Sequence, residues 1–117
     1  MKFGIIEIPR SIESAVEHAK LAESVGFDFV GVADSQSLYR DVYVTAAMMA
    51  SATSRITIGP AVTNFITRHL AATVSAIGTV DEVSGGRTLL GLGSGDSAIY
   101  NIGERPTRLA EMRAGLK

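Results

Sequence analysis

Four short apolar runs recur at intervals of about thirty residues, each leading into a stretch with helical spacing, and this rhythm limits what the chain can fold into. The runs are residues 3–8, 27–33, 55–62 and 87–93. Phe27, Phe29, Val30 and Val32 give the second run nearly continuous hydrophobicity, as a strand covered on both faces requires. Between the runs, Ala15, Val16, Ala19, Ala22 and Val25 repeat at helical spacing behind a Ser11 cap, and Gly26 supplies the stop. Asp41 caps a second helix over 42–53, with Met48, Met49 and the tyrosines Tyr39, Tyr43 and Tyr100 read as packing residues. A third helix covers 70–83 and ends at Gly85-Gly86. Gly59-Pro60 predicts an irregular end to the third strand, because proline donates no ladder hydrogen bond. Beyond the fourth run, a helical turn over 97–102 and a helix over 107–116 are expected, the latter with Leu109 and Met112 turned inward.

Strand and helix alternating four times, with connections long enough for right-handed crossovers, define an α/β fold around a parallel sheet. Eight such units, about 250 residues, close a barrel. This chain of 117 residues is therefore expected to form one domain, residues 1–117, with the architecture of the N-terminal half of a (β/α)8 TIM barrel. A flat, doubly wound sheet of the flavodoxin kind would need a fifth closing strand, which the sequence does not offer. A curved four-stranded sheet leaves two open edges and an apolar concave face, so a homo-oligomer is expected. Composition agrees, with 46% hydrophobic residues against 20% charged.

Eleven Lys and Arg against twelve Asp and Glu give a formal net charge of -1, and no block of like charge marks a nucleic-acid or anionic membrane surface. No apolar run reaches the ~18 residues of a spanning helix, and Glu7 interrupts any signal-like core, which makes a cytoplasmic location the expectation. Cysteine is absent, excluding disulfides, thiolate metal sites and cysteine nucleophiles. His18 and His69 lack ligand spacing, so no metal site is expected; His69, beside Arg68, is read as ordering its loop.

In parallel α/β sheets ligands bind beyond the carboxyl ends of the strands, here the segments 7–10, 34–37, 61–64 and 93–96. Asp34 leaves an apolar run, where a carboxylate loses solvation unless it is hydrogen-bonded or placed at a cavity; it either serves a site or caps the following loop. Gly91-Leu92-Gly93-Ser94-Gly95-Asp96 has glycines at alternate positions, unlike a dinucleotide fingerprint, a Walker loop or a hydrolase elbow. Its glycines make room at the barrel mouth, which a planar ligand would use.

Taken together and in order, Val32-Ala33-Asp34-Ser35, Ile58-Gly59-Pro60-Ala61-Val62-Thr63-Asn64, Thr67-Arg68-His69, Asp81 to Arg87 and Gly91 to Asp96 resemble the luciferase-like superfamily of flavin- or F420-dependent oxidoreductases. The resemblance is greatest to its methylenetetrahydromethanopterin reductase-like branch. It implies a TIM barrel passing hydride between a reduced cofactor, FMN or coenzyme F420, and a small organic substrate. It further implies that Asp34 handles or polarises a substrate-side proton and that Ala61-Val62 form a bulge with a cis peptide backing the ring. Asn64 would touch the ring edge, and Ser94, Gly95 and Asp96 would line the cofactor. Phe65 and Leu70 stand where relatives often carry proline, and Ser35 stands where some F420 enzymes place histidine.

Overall fold

A computed structural model describes residues 1–116. The elements are β1 (Gly4–Glu7), α1 (Ile12–Ser24), β2 (Phe29–Val32), α2 (Val42–Ser51), β3 (Thr57–Pro60), α3 (Leu70–Ser84), α4 (Ser97–Tyr100) and α5 (Leu109–Gly115). Local chemistry starts the helices where expected. The Ser11 side chain accepts from the Ser14 amide, Asp41 Oδ1 accepts from the Tyr43 and Val44 amides at 2.9 Å each, and His69 Nδ1 accepts from the Ala71 amide. Gly26 and Gly85 adopt the left-handed backbone that ends α1 and α3.

The sheet is parallel in the order β1-β2-β3, with Ile6, Gly31 and Gly59 in one row and Ile5, Val30 and Ile58 in the next. Side chains alternate between the two faces of a strand. Val30, Val32 and Ile58 pack against the helices, where they join Ala15, Ala19, Val42, Ala46, Met49 and Val80 in one buried core. Alanine at so many helix positions lets α1 and α2 lie close to the sheet. On the other face, the Ile6 and Ala61 side chains close over Gly31. That concave face is uncovered: Ile6 and Ile8 are 55% and 44% exposed.

The fourth expected strand, 87–93, does not form a regular strand. It pairs alongside β3 through two isolated parallel bridges, Ile58 with Thr88 and Thr63 with Leu92. Between the bridges the β3 side has four residues, 59–62, and the other side three, 89–91, so one extra residue is inserted at the end of β3. Backbone hydrogen bonds continue through it, from Gly91 N to Pro60 O at 2.8 Å and from Thr63 N to Gly91 O at 2.9 Å. The irregularity expected at Gly59-Pro60 thus spreads to its partner.

At the opposite end of the sheet two side-chain clamps close the molecule. Arg87 donates to the carbonyls of Ala50, Thr53, Ile56 and Ser84, satisfying acceptors that the ends of α2 and α3 leave open. Glu23 accepts from the amides of Ser54, Arg55 and Ile56 at 3.0, 2.6 and 2.8 Å, joining the end of α1 to the start of β3. The inward placement of Leu109 and Met112 is corrected: α5 has no buried residue, Leu109 is exposed and Met112 half-buried. The helix meets the loop after β3 through Gly115, which lies against the Phe65 ring.

Candidate active site

The carboxyl ends of the three strands and the segment 93–98 surround a cavity of about 430 Å³. Asp34, Ala61, Val62, Asn64, Ser94, Gly95 and Asp96 all line it. One wall is apolar, from Ile6, Ile8 and Val62; the other is polar, from Asp34, Ser35, Asn64, Ser94 and Asp96. Among the described residues none of those lining the cavity is basic.

Asp34 sits at the cavity floor with its side chain 1% exposed. Its Oδ2 accepts from Thr63 Oγ1 at 2.7 Å and from Arg68 Nη1 at 2.6 Å. Among the described residues it bonds no backbone amide, so the loop-capping alternative does not apply, and Oδ1 is left without a hydrogen-bond partner. The lost solvation of the carboxylate is replaced by an ion pair. Arg68 also reaches Asp41 Oδ2 at 2.9 Å, and its guanidinium lies 5.2 Å from the centre of the Tyr43 ring. Burial works against the charge of Arg68, but Asp34 and Asp41 outweigh it and raise its pKa above the ordinary value. Burial likewise opposes the charge of Asp41, which the amides of Val44 and Tyr43 and the Arg68 guanidinium overcome, leaving its pKa lowered.

The Ala61-Val62 peptide is cis, and Val62 is half-exposed on the cavity wall. The room left by the alternate glycines is taken by this side chain rather than left open: a Cβ on Gly93 would stand 2.7 Å from Val62 Cγ2, and one on Gly91 3.1 Å from Cγ1. Asn64 is buried, with Oδ1 accepting from the amides of Ile66 and Thr67, so it shapes the turn as well as lining the cavity. Asp96 caps α4 through the Ser97 amide. Ser35 and Ser97 share a hydroxyl hydrogen bond of 2.8 Å, and Gln36 Nε2 donates to Ala98 O, tying the loops after β2 and after 93 together over the end of β3.

Sequence reading missed Thr63 and Arg68 as members of this site. The Arg68 signal was its place in Thr67-Arg68-His69, one residue before a helix cap, but nothing local names an acid 34 residues away as its partner. The reading of Met48, Met49 and the tyrosines as packing residues is corrected in part. Met49 and Tyr43 are buried, Met48 and Tyr100 are exposed, and Tyr39 stands at the cavity edge.

A parallel α/β half-barrel with a cavity at its strand ends has the architecture of the TIM-barrel class, whose ligands bind at that mouth. Residues 2–114 match the family model of the luciferase-like monooxygenases, and the chain belongs to that family. It is 45% identical over 102 residues to 5,10-methylenetetrahydromethanopterin reductase of Methanolobus tindarius, a match covering 86% of this chain and 31% of that enzyme. Its fold superimposes on the coenzyme F420-dependent tetrahydromethanopterin reductase of Methanopyrus kandleri with a TM-score of 0.90 at 29% identity, over 98% of this chain and 38% of that one. A type II Baeyer-Villiger monooxygenase of Pseudomonas putida in complex with FMN matches with a TM-score of 0.80 at 26% identity, over 99% and 37%. The chain therefore spans about a third of the length of these relatives.

Proposed function

We propose that this chain forms the ring-binding half of a flavin- or F420-dependent oxidoreductase site that acts on a small organic substrate. The observation that carries the reading is the convergence of three strand ends and the segment 93–98 on one cavity, lined by the buried Asp34 carboxylate and a half-exposed Val62. The fit to the ring follows from the lining. Ile6, Ile8 and Val62 offer an apolar surface to a flat heterocycle, and Asn64, Ser94 and Asp96 offer polar groups to its edge. A cavity without a basic side chain suits an uncharged ring rather than a phosphate tail. FMN or F420, when bound, supplies hydride transfer at the ring.

Asp34 is the candidate catalytic residue. Its Oδ1, free of other partners, accepts or polarises a substrate proton, while Thr63 and Arg68 hold Oδ2. The apolar wall excludes water from the same space. The concave face and open strand edges favour assembly with a second copy of the chain. Among the described residues no helix is long and apolar enough to cross a membrane, which supports the proposed cytoplasmic location.

The test is titration of the chain with FMN and with F420, followed by absorbance and fluorescence, and turnover of a candidate substrate by the assembly. Saturable binding is expected, and its absence with both cofactors overturns the reading. In an assembly that turns over, Asp34→Asn abolishes turnover while cofactor affinity stays within about tenfold; unchanged turnover removes Asp34 from the mechanism. The exposed concave face also favours a second reading, a half-barrel that self-associates and binds ligand without chemistry, which binding without turnover would select.

A further inference from the structure

Three side chains converge behind the cavity floor from three different elements. Asp34 follows β2, Asp41 caps α2, and Arg68 precedes the His69 cap of α3. Arg68 gives Nη1 to Asp34 Oδ2 and Nη2 to Asp41 Oδ2, at 2.6 and 2.9 Å. Asp41 is in turn fixed, since its Oδ1 is held by two α2 amides. The guanidinium also rests on the Tyr43 ring, and its side chain is only 18% exposed.

We infer that Arg68 is a positioning residue for Asp34: by gripping one carboxylate oxygen against the α2 cap, it fixes the χ1 rotamer of Asp34 and with it the direction in which the carboxylate meets the occupant of the cavity. This rests on the reading of the cavity as an oxidoreductase site. The geometry demands arginine. A planar guanidinium serves two carboxylates at once through separate nitrogens, whereas the point charge of lysine holds one pair well and not both. Thr63 Oγ1 donates to the same oxygen, so both protein donors lie on Oδ2 and, among the described residues, Oδ1 has no protein partner. Without Arg68 the side chain keeps one neutral donor and is free to sample other χ1 rotamers. The fixed α2 cap makes the grip rigid, because Asp41 cannot follow a displaced guanidinium without releasing the Tyr43 and Val44 amides.

The experiment needs no cofactor. In the 117-residue protein labelled at aspartate, three-bond couplings report the Asp34 side-chain rotamer by NMR. One rotamer is expected in the wild type, averaging in Arg68→Met, and an intermediate state in Arg68→Lys. A folded Arg68→Met with the wild-type rotamer overturns the inference, even if its melting temperature falls, because a merely structural role moves stability alone. Should Arg68→Met not fold, Arg68→Lys decides: averaging supports the inference and a wild-type rotamer overturns it. Failure of both FMN and F420 to bind would overturn the proposed function and leave this rotamer measurement to stand by itself. In an assembly that turns over, Arg68→Met is expected to lower kcat about tenfold or more with cofactor affinity within about threefold.

Discussion

A methyl group added at Gly59 would stand 1.9 Å from the Leu89 carbonyl oxygen, closer than any real contact allows. The obstacle is backbone, so no side-chain rotation relieves it, and the two segments would have to part. Gly59→Ala is expected to destabilise the fold by about 3 kcal/mol or more in urea unfolding; a loss below about 0.5 kcal/mol would show that the segments are not held together as described. Gly93→Ala meets only the end of the Val62 side chain and should alter the cavity more than stability. At this scale the sequence was informative about residues whose task is local. Ser11 and Asp41 declare themselves as caps because their partners lie two or three positions ahead. Asp34 declares itself by leaving an apolar run, but its partners Thr63 and Arg68 come from another strand end and could not be read from neighbouring residues.

Between elements, the Glu23 clamp gives the molecule a defined acid response. Burial raises the pKa of this carboxyl, but the amides of Ile56, Arg55 and Ser54 outweigh it and bring it from 4.5 to about 2. Because the folded value is depressed, the clamp contributes fully above the unfolded value of 4.5 and is lost as pH falls from there toward about 2. Glu23→Gln is expected to flatten unfolding stability against pH across that window, with little change in slope near neutrality; an unaltered acid limb in urea titrations would assign the sensitivity elsewhere. Element identity was largely legible, since apolar runs and helical spacing are themselves consequences of which faces are buried. The regularity of the fourth strand was not, because pairing depends on the extra residue in its partner. The outward turn of Leu109 was equally hidden, for helical spacing says which residues share a face but not what that face meets.

For the whole molecule, the uncovered inner face is the dominant physical fact. Ile6 and Ile8 form an apolar surface beside the open edge of β1, and burying it against a second copy would remove both exposures together. Sedimentation equilibrium is expected to show concentration-dependent association that Ile6→Asp weakens at least tenfold, while the melting temperature stays within a few degrees, since Ile6 lies outside the helix-side core. Association indifferent to that charge would locate the contact on another surface. The inserted residue at the end of β3 carries its own implication for anyone who recombines this chain with a homologue. It reverses the in-and-out parity of everything after it, which is how Ala61 and Val62 both reach the mouth in succession while Thr63 still bonds to Asp34. A chimaera that exchanges 58–63 for a segment one residue shorter restores the alternation, and the threonine turns its back on the acid it serves.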